Sequence, residues 1–301
     1  MGAPLQTAAV RSLWIDAPGA RLHAWFVSPE GDPPWPTVVL AHGWAAVKEM
    51  NLDYVAAAFR DAGIAALVFD HRGFGASEGP RGDIDPVRQI ADYGVALDAA
   101  ERMDVVDAER LGVWGTSYSG GHVLCVAKDD RRVRAAVAQV PTISGGEATR
   151  RRGRTPPATE YVPAADTGGR DLDGDGGDPV DPRALPPAPD GDYPDADRWR
   201  FYAELPPERR RTWRNRITSR SLERYAAYEP GACLPDVAVP LLVILAEDDT
   251  ITPADLIRDA VRAAGEHVVT LAVPGGHYAV YTDHRERTTR AAAAFMAGHL
   301  R

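Results

Sequence analysis

The sequence predicts an α/β protein: a mostly parallel central sheet with helices on both faces, and a helical and loop lid inserted into it. Three observations predict this. Short, continuously apolar runs alternate with helix-length segments through residue 141, and such runs mark strands covered on both faces. The alternation stops over 142–232, where a Pro-, Gly- and Asp-rich stretch at 156–195 is too polar to build its own core. It resumes afterwards. The expected organisation is a core of residues 1–141 and 233–301 with an inserted lid of residues 142–232.

Each element has its own signal. Residues 10–15 and 21–27 alternate around Ala17-Pro18-Gly19, the pattern of a β-hairpin. Residues 37–41 form the first buried strand and end in His42-Gly43-Trp44; a helix over 52–62 stops at Gly63. A second buried strand, 64–69, leads into Asp70-His71-Arg72-Gly73-Phe74-Gly75-Ala76-Ser77. Asp85-Pro86 opens a helix to about residue 102, with proline in the first turn where its missing N–H is harmless. Strands at 111–114 and 133–140 flank a helix to about residue 128. Helical character returns at 197–228, with Trp199, Phe201, Tyr202, Trp213, Ile217 and Leu222 as apolar contacts. A strand at 240–246, a helix at 253–264, a strand at 268–273 and a last helix to about residue 300 complete the core.

The bulk numbers exclude several classes. A formal net charge of −9 disfavours nucleic acid, whose phosphates need clustered Lys and Arg. The arginine runs at 150–154 and 209–211 lie near acidic stretches and read as solvated surface. Cys125 and Cys233 make no disulfide framework and lack metal-ligand spacing; Cys125 reads as core. No secretory leader and no run of about 20 apolar residues is visible, so the expectation is a cytoplasmic location away from membranes. Asp171-Leu172-Asp173-Gly174-Asp175-Gly176 imitates a calcium loop, but its twelfth position is Pro182 instead of the bidentate Glu such a loop requires. No Gly-x-Gly-x-x-Gly with an acidic partner is present. No metal and no cofactor are expected.

Chemistry concentrates at strand ends. Gly115-Thr116-Ser117-Tyr118-Ser119-Gly120 places a serine on a sharp strand-to-helix turn, with small residues two positions to either side. Glycine is usual at the second of these, so Ser119 is a mild departure. Ser117 could merely cap the helix, and Ser119 is a rival nucleophile one turn too late. A serine needs a base. Of His122, His267, His277, His284 and His299, only His277 follows the last strand on a glycine loop, Pro274-Gly275-Gly276-His277. The acid should follow the preceding sheet strand, where Glu247, Asp248 and Asp249 compete; Asp249, four residues before Pro253, is the choice and Asp248 the rival. The backbone amides of Trp44 and Tyr118 are placed to receive a developing oxyanion. His42 shapes that loop.

His42-Gly43, the 70–77 loop, the Ser117 elbow, Asp249 and Gly276-His277 together resemble the α/β-hydrolase superfamily over about 200 residues outside the insertion. More narrowly, the stretch from Trp114 to His122 with that from Gln139 to Gly145 resembles bacterial and fungal acyl hydrolases and polyketide transferases of secondary metabolism. The resemblance implies the α/β-hydrolase fold, a Ser117–His277–Asp249 triad, and structural roles for Asp70, Arg72 and Ser77. Dehalogenase and epoxide-hydrolase variants, which carry Asp at the elbow, are disfavoured by Ser117. The expected activity is cleavage of a small-molecule carboxylic ester or thioester through an acyl-enzyme. Acyl transfer or C–C cleavage by the same triad is the alternative, and a non-catalytic binding protein on this scaffold is the second. Trp199, Phe201, Tyr202 and Trp213 would line an apolar acyl or aryl pocket, or equally form the lid's own core. A homodimer is the expected candidate assembly.

Overall fold

The computed structural model describes residues 10–151, 162–164, 201, 205–214, 216–265 and 267–301. The strands are β1 (Val10–Ala17), β2 (Ala20–Val27), β3 (Trp35–Ala41), β4 (Ala65–Phe69), β5 (Val106–Thr116), β6 (Val133–Gln139), β7 (Val162–Ala164), β8 (Arg216–Thr218), β9 (Leu241–Ala246) and β10 (Val268–Val273). Eight of them form one sheet in the order β1-β2-β4-β3-β5-β6-β9-β10. β2 runs antiparallel to both its neighbours, and every pairing from β4 to β10 is parallel. Chain order reverses at β3, which lies between β4 and β5. In open sheets of this kind, ligands bind beyond the carboxyl ends of the strands at such a reversal.

The helices are α1 (Leu52–Asp61), α2 (Pro86–Glu101), α3 (Tyr118–Asp129), α4 (Gly145–Arg151), α5 (Ser219–Ala226), α6 (Ala254–Ala264) and α7 (Arg285–His299). Alternate strand residues divide between two cores. Val38, Leu40, Ala66 and Val68 face Phe59 of α1 and Met296 of α7. Val39, Ala41, Leu67 and Val113 face Leu97 of α2, Val123 of α3 and Ile257 of α6. Both faces are therefore dry, which is why the central strands carry no polar alternation. The start of α2 follows from its sequence: Asp85 Oδ1 accepts the amides of Val87 and Arg88 at 3.1 and 3.4 Å, and Pro86 occupies the first turn.

Four local expectations are corrected. β5 begins at Val106 rather than near residue 111, because its half-exposed first part, Asp107-Ala108-Glu109-Arg110, hides the strand from a hydrophobicity reading. The insertion, expected to hold no buried strand, contains the short parallel pair β7 and β8, with Ile217 of β8 fully enclosed. Arg209 is not solvated surface: it forks onto Asp53 of α1 at 2.8 and 2.6 Å and lies over the Tyr54 ring. Cys125 is buried as expected, but it forms a disulfide with Cys233 across a sequence separation of 108 residues, their Cα atoms 5.1 Å apart. Only the fold brings two such distant cysteines within bonding reach. The calcium-like stretch at 171–182 lies outside the described residues.

Candidate active site

The end of β5 turns sharply into α3, and Ser117 stands on that turn with φ 56° and ψ −116°. A non-glycine residue held there is strained, and the surroundings hold it. Its amide donates to the Gln139 carbonyl at 2.8 Å, and its carbonyl accepts the Thr142 amide at 3.0 Å. The turn is so tight that a Cβ on Gly115 would lie 2.2 Å from the Ser119 carbonyl oxygen. Glycine is required there. Ser119 points elsewhere: its hydroxyl is fully buried and donates to the His42 carbonyl, which removes it as a nucleophile.

His277 follows β10 and Gly275-Gly276, and opens a 3₁₀ turn, His277–Val280. Its Nε2 lies 3.0 Å from Ser117 Oγ, and its Nδ1 lies 2.7 Å from Asp249 Oδ2. A carboxylate can only accept, so Nδ1 carries the proton and Nε2 presents its lone pair to the serine hydroxyl. The other oxygen of Asp249 accepts the amides of Ile251 and Thr252 at 2.8 and 2.9 Å. Asp249 is buried, whereas Asp248 and Glu247 face solvent. The Asp248 amide donates to the Gly275 carbonyl at 2.9 Å, tying the acid's loop to the histidine's. The other histidines stand apart: His122 is buried between Tyr228 and Gln89, and burial drives its imidazole down to about 3.

The His42-Gly43-Trp44 turn meets the elbow directly. A Cβ on Gly43 would lie 3.0 Å from Ser117 Cβ and 3.1 Å from the Thr116 carbonyl oxygen. Tyr118 opens α3, where the first amides have no carbonyl one turn back to bind and the helix dipole is positive. The loop after β3 is anchored from below by Asp70. This buried carboxylate accepts the Lys48 amide at 2.7 Å and the Lys48 ammonium at 2.5 Å, and the Ala76 amide at 3.2 Å. Burial, with the Asp70 charge second, pushes the neighbouring Glu49 carboxyl up. Ser77 Oγ donates to the Asp70 carbonyl, and Arg72 forks onto the buried Asp92.

Two aromatic groups flank the site. Phe201 and Trp213 pack with Val47, Met50 and Leu205 against Tyr278 and Tyr281, beside the His277 loop. Trp213 Nε1 donates to the Ala45 carbonyl at 2.9 Å. Trp199 and Tyr202 lie outside the described residues. The second group was not anticipated: Trp44, Tyr118, Tyr225 and Tyr228 meet around the start of α3, with Tyr118 4.9 Å from Trp44 and 5.0 Å from Tyr228. The spacing of Tyr225 and Tyr228 is a helix-face signal, yet nothing local says which surface that face covers.

The fold thus brings a serine on a strained turn, an imidazole and a buried carboxylate into one hydrogen-bonded row at the sheet rim. The alpha/beta hydrolase family model matches residues 38–291, and the chain belongs to that family. A thiohydrolase of Eupenicillium brefeldianum is 30% identical over 244 residues, covering 79% of this chain and 76% of that protein. The match to an uncharacterized 31.7 kDa protein of Escherichia coli is 40% identical over 120 residues, but spans 40% of this chain and 42% of its relative. Other relatives bear the names acyltransferase and polyketide transferase, each covering 35% of this chain. Among solved structures, the alpha/beta hydrolase GrgF from Penicillium sp. sh18 superposes with a TM-score of 0.72 at 21% identity, over 97% of this chain and 99% of that one. That likeness speaks to the fold.

Proposed function

We propose that the protein is a serine hydrolase that cleaves a carboxylic ester or thioester of a small molecule through an acyl-enzyme on Ser117. The observation that carries this reading is the relay from Ser117 Oγ to His277 Nε2 at 3.0 Å and from His277 Nδ1 to Asp249 at 2.7 Å. In it, His277 takes the serine proton as Oγ attacks the carbonyl carbon, and Asp249 stabilises the imidazolium without taking up the proton. The amides of Trp44 and Tyr118 receive the oxyanion. His277 then protonates the departing alkoxide or thiolate. A water, deprotonated by the same imidazole, releases the acid.

The thiohydrolase name of the relative that spans most of the chain supports a thioester, and the name polyketide transferase of another supports a place in secondary metabolism. Residues 142–232 act in this reading as a lid, with Phe201 and Trp213 in an apolar acyl pocket. The relatives named acyltransferase and polyketide transferase favour a second reading, in which an alcohol or amine replaces water. The binding-protein alternative is opposed by the assembled relay. Nucleic acid and membrane partners remain outside the proposal; no described helix is long and apolar enough to cross a membrane. A cytoplasmic site belongs to the proposal, although the Cys125–Cys233 disulfide pulls against it, since such bonds are kept reduced there.

The test is labelling with a fluorophosphonate, followed by turnover of p-nitrophenyl esters and acyl thioesters with and without acceptor alcohols. Labelling that vanishes in Ser117→Ala, with free acid as product, supports hydrolysis. Acceptor-dependent ester or amide product moves the assignment to transfer, and a folded wild type that does not label sinks both.

A further inference from the structure

The departure from glycine at Ser119 has a structural consequence of its own. Ser119 is fully enclosed, and its Oγ lies 2.5 Å from the His42 carbonyl oxygen and 2.7 Å from His71 Nε2. A carbonyl only accepts, so the serine proton goes to His42, and His71 must then donate from Nε2. The backbone amide of His71 donates to His42 Nε2 at 3.1 Å, which leaves the His42 proton on Nδ1, 2.8 Å from the Gly43 carbonyl. His71 Nδ1 is left bare, buried and without a partner. Every proton in this chain thus has one direction, and the bonds converge on the carbonyls of His42 and Gly43, immediately before Trp44.

We propose that Ser119 is a positioning residue for the oxyanion site: its hydroxyl fastens the α3 turn that presents the Tyr118 amide to the β3 turn that presents the Trp44 amide. This rests on the reading of Ser117 as nucleophile. Ser119 follows Tyr118 directly, and His42 precedes Trp44 by two residues, so one hydrogen bond sets the spacing of the two amides. An oxyanion site works only if its donors are held at hydrogen-bond range of the oxygen that develops charge, and misplacement by about 1 Å lowers rate by about a hundredfold. With the hydroxyl removed, the bond from α3 to the His42 carbonyl is gone, and the β3 turn is free to shift.

The experiment compares wild type with Ser119→Ala and Ser119→Thr, the latter keeping the hydroxyl. For Ser119→Ala we expect kcat on a p-nitrophenyl ester to fall by about tenfold to a hundredfold with KM within about twofold. The second-order rate of fluorophosphonate labelling should fall by the same factor while labelling still goes to completion. Ser119→Thr should keep most of both rates. The imidazole ¹H–¹⁵N spectrum of wild type should show His71 protonated at Nε2 alone, a readout independent of activity and of any variant's folding. A folded Ser119→Ala with unchanged kcat and labelling rate overturns the proposal, as does a loss that appears in KM, or a His71 proton on Nδ1. Wild type that fails to label overturns the nucleophile reading and the positioning role together, whereas labelling wild type with an indifferent Ser119→Ala overturns the positioning role alone.

Discussion

At the rim of the sheet, each residue of the proposed triad comes just past the carboxyl end of a parallel strand: Ser117 after Thr116, Asp249 shortly after Ala246, His277 shortly after Val273. Over the insertion, Trp213 and Tyr225 meet surfaces contributed by chain far away, Ala45 in one case and Trp44 in the other. The rim is fixed by local pattern, because a parallel sheet leaves no freedom in where its strand ends arrive. The described residues from 205 to 228 are placed by complementarity, which no short stretch of sequence records. Two further joints run from α3: the His122–Tyr228 hydrogen bond of 2.7 Å into that region, and the Cys125–Cys233 disulfide to the chain that directly follows it.

That contrast can be broken most severely at the rim. Ser117→Ala and His277→Ala should each lower kcat by at least about a thousandfold and up to about a millionfold. Asp249→Asn, which turns the imidazole to the wrong tautomer, should lower it by about ten-thousandfold, while the exposed Asp248→Asn should stay within about twofold. Equal losses at the two aspartates, in ester-hydrolysis kinetics, would show that the rim's loops are looser than described.

The joints should affect stability before activity. Cys233→Ser should lower unfolding free energy by about 2–5 kcal/mol in urea titrations, and reductant should do the same to wild type but nothing to the variant. The hydrogen-bonded joint gives an effect confined to acid pH, with a definite sign. Burial lowers the imidazoles of His42, His71 and His122, the last from 6.5 to about 3. The unfolded chain therefore binds protons that the folded one refuses, so stability is full above pH 6.5 and is lost as pH falls toward about 3. Across that window His122→Gln should flatten the slope of stability against pH by about 1.4 kcal/mol per pH unit. An unchanged slope would remove His122 as a joint.

Legibility followed the same division. The sheet, the elbow and the histidine loop were readable because apolar runs and glycines act locally, whereas the burial that sets Asp249 beside His277 and leaves Asp248 exposed appears only in the fold. Ser119 was visible as an irregular motif residue, but its bond to His42 depends on β3 and α3 being neighbours across β5. Arg209 looked like solvated charge because its partner Asp53 is 156 residues away. The disulfide was hidden for the same reason. The aromatic group around Tyr118 mixes Trp44 from the loop after β3, Tyr118 of α3, Tyr225 of α5 and Tyr228 just beyond it, none conspicuous in its own segment.

The anchoring of Lys48 has a practical side. The sequence contains two lysines, and Lys48 is sealed between Asp70 and Glu49 with no exposed surface. Lys128, its side chain 34% exposed, stands near the far end of α3, about 15 Å along the helix from Tyr118. Amine-directed chemistry should meet one reactive ε-amino group in the folded protein, at the end of α3 opposite Ser117. Coupling to a resin or dye through Lys128 would hold every molecule in the same orientation, with the sheet rim turned toward the solution.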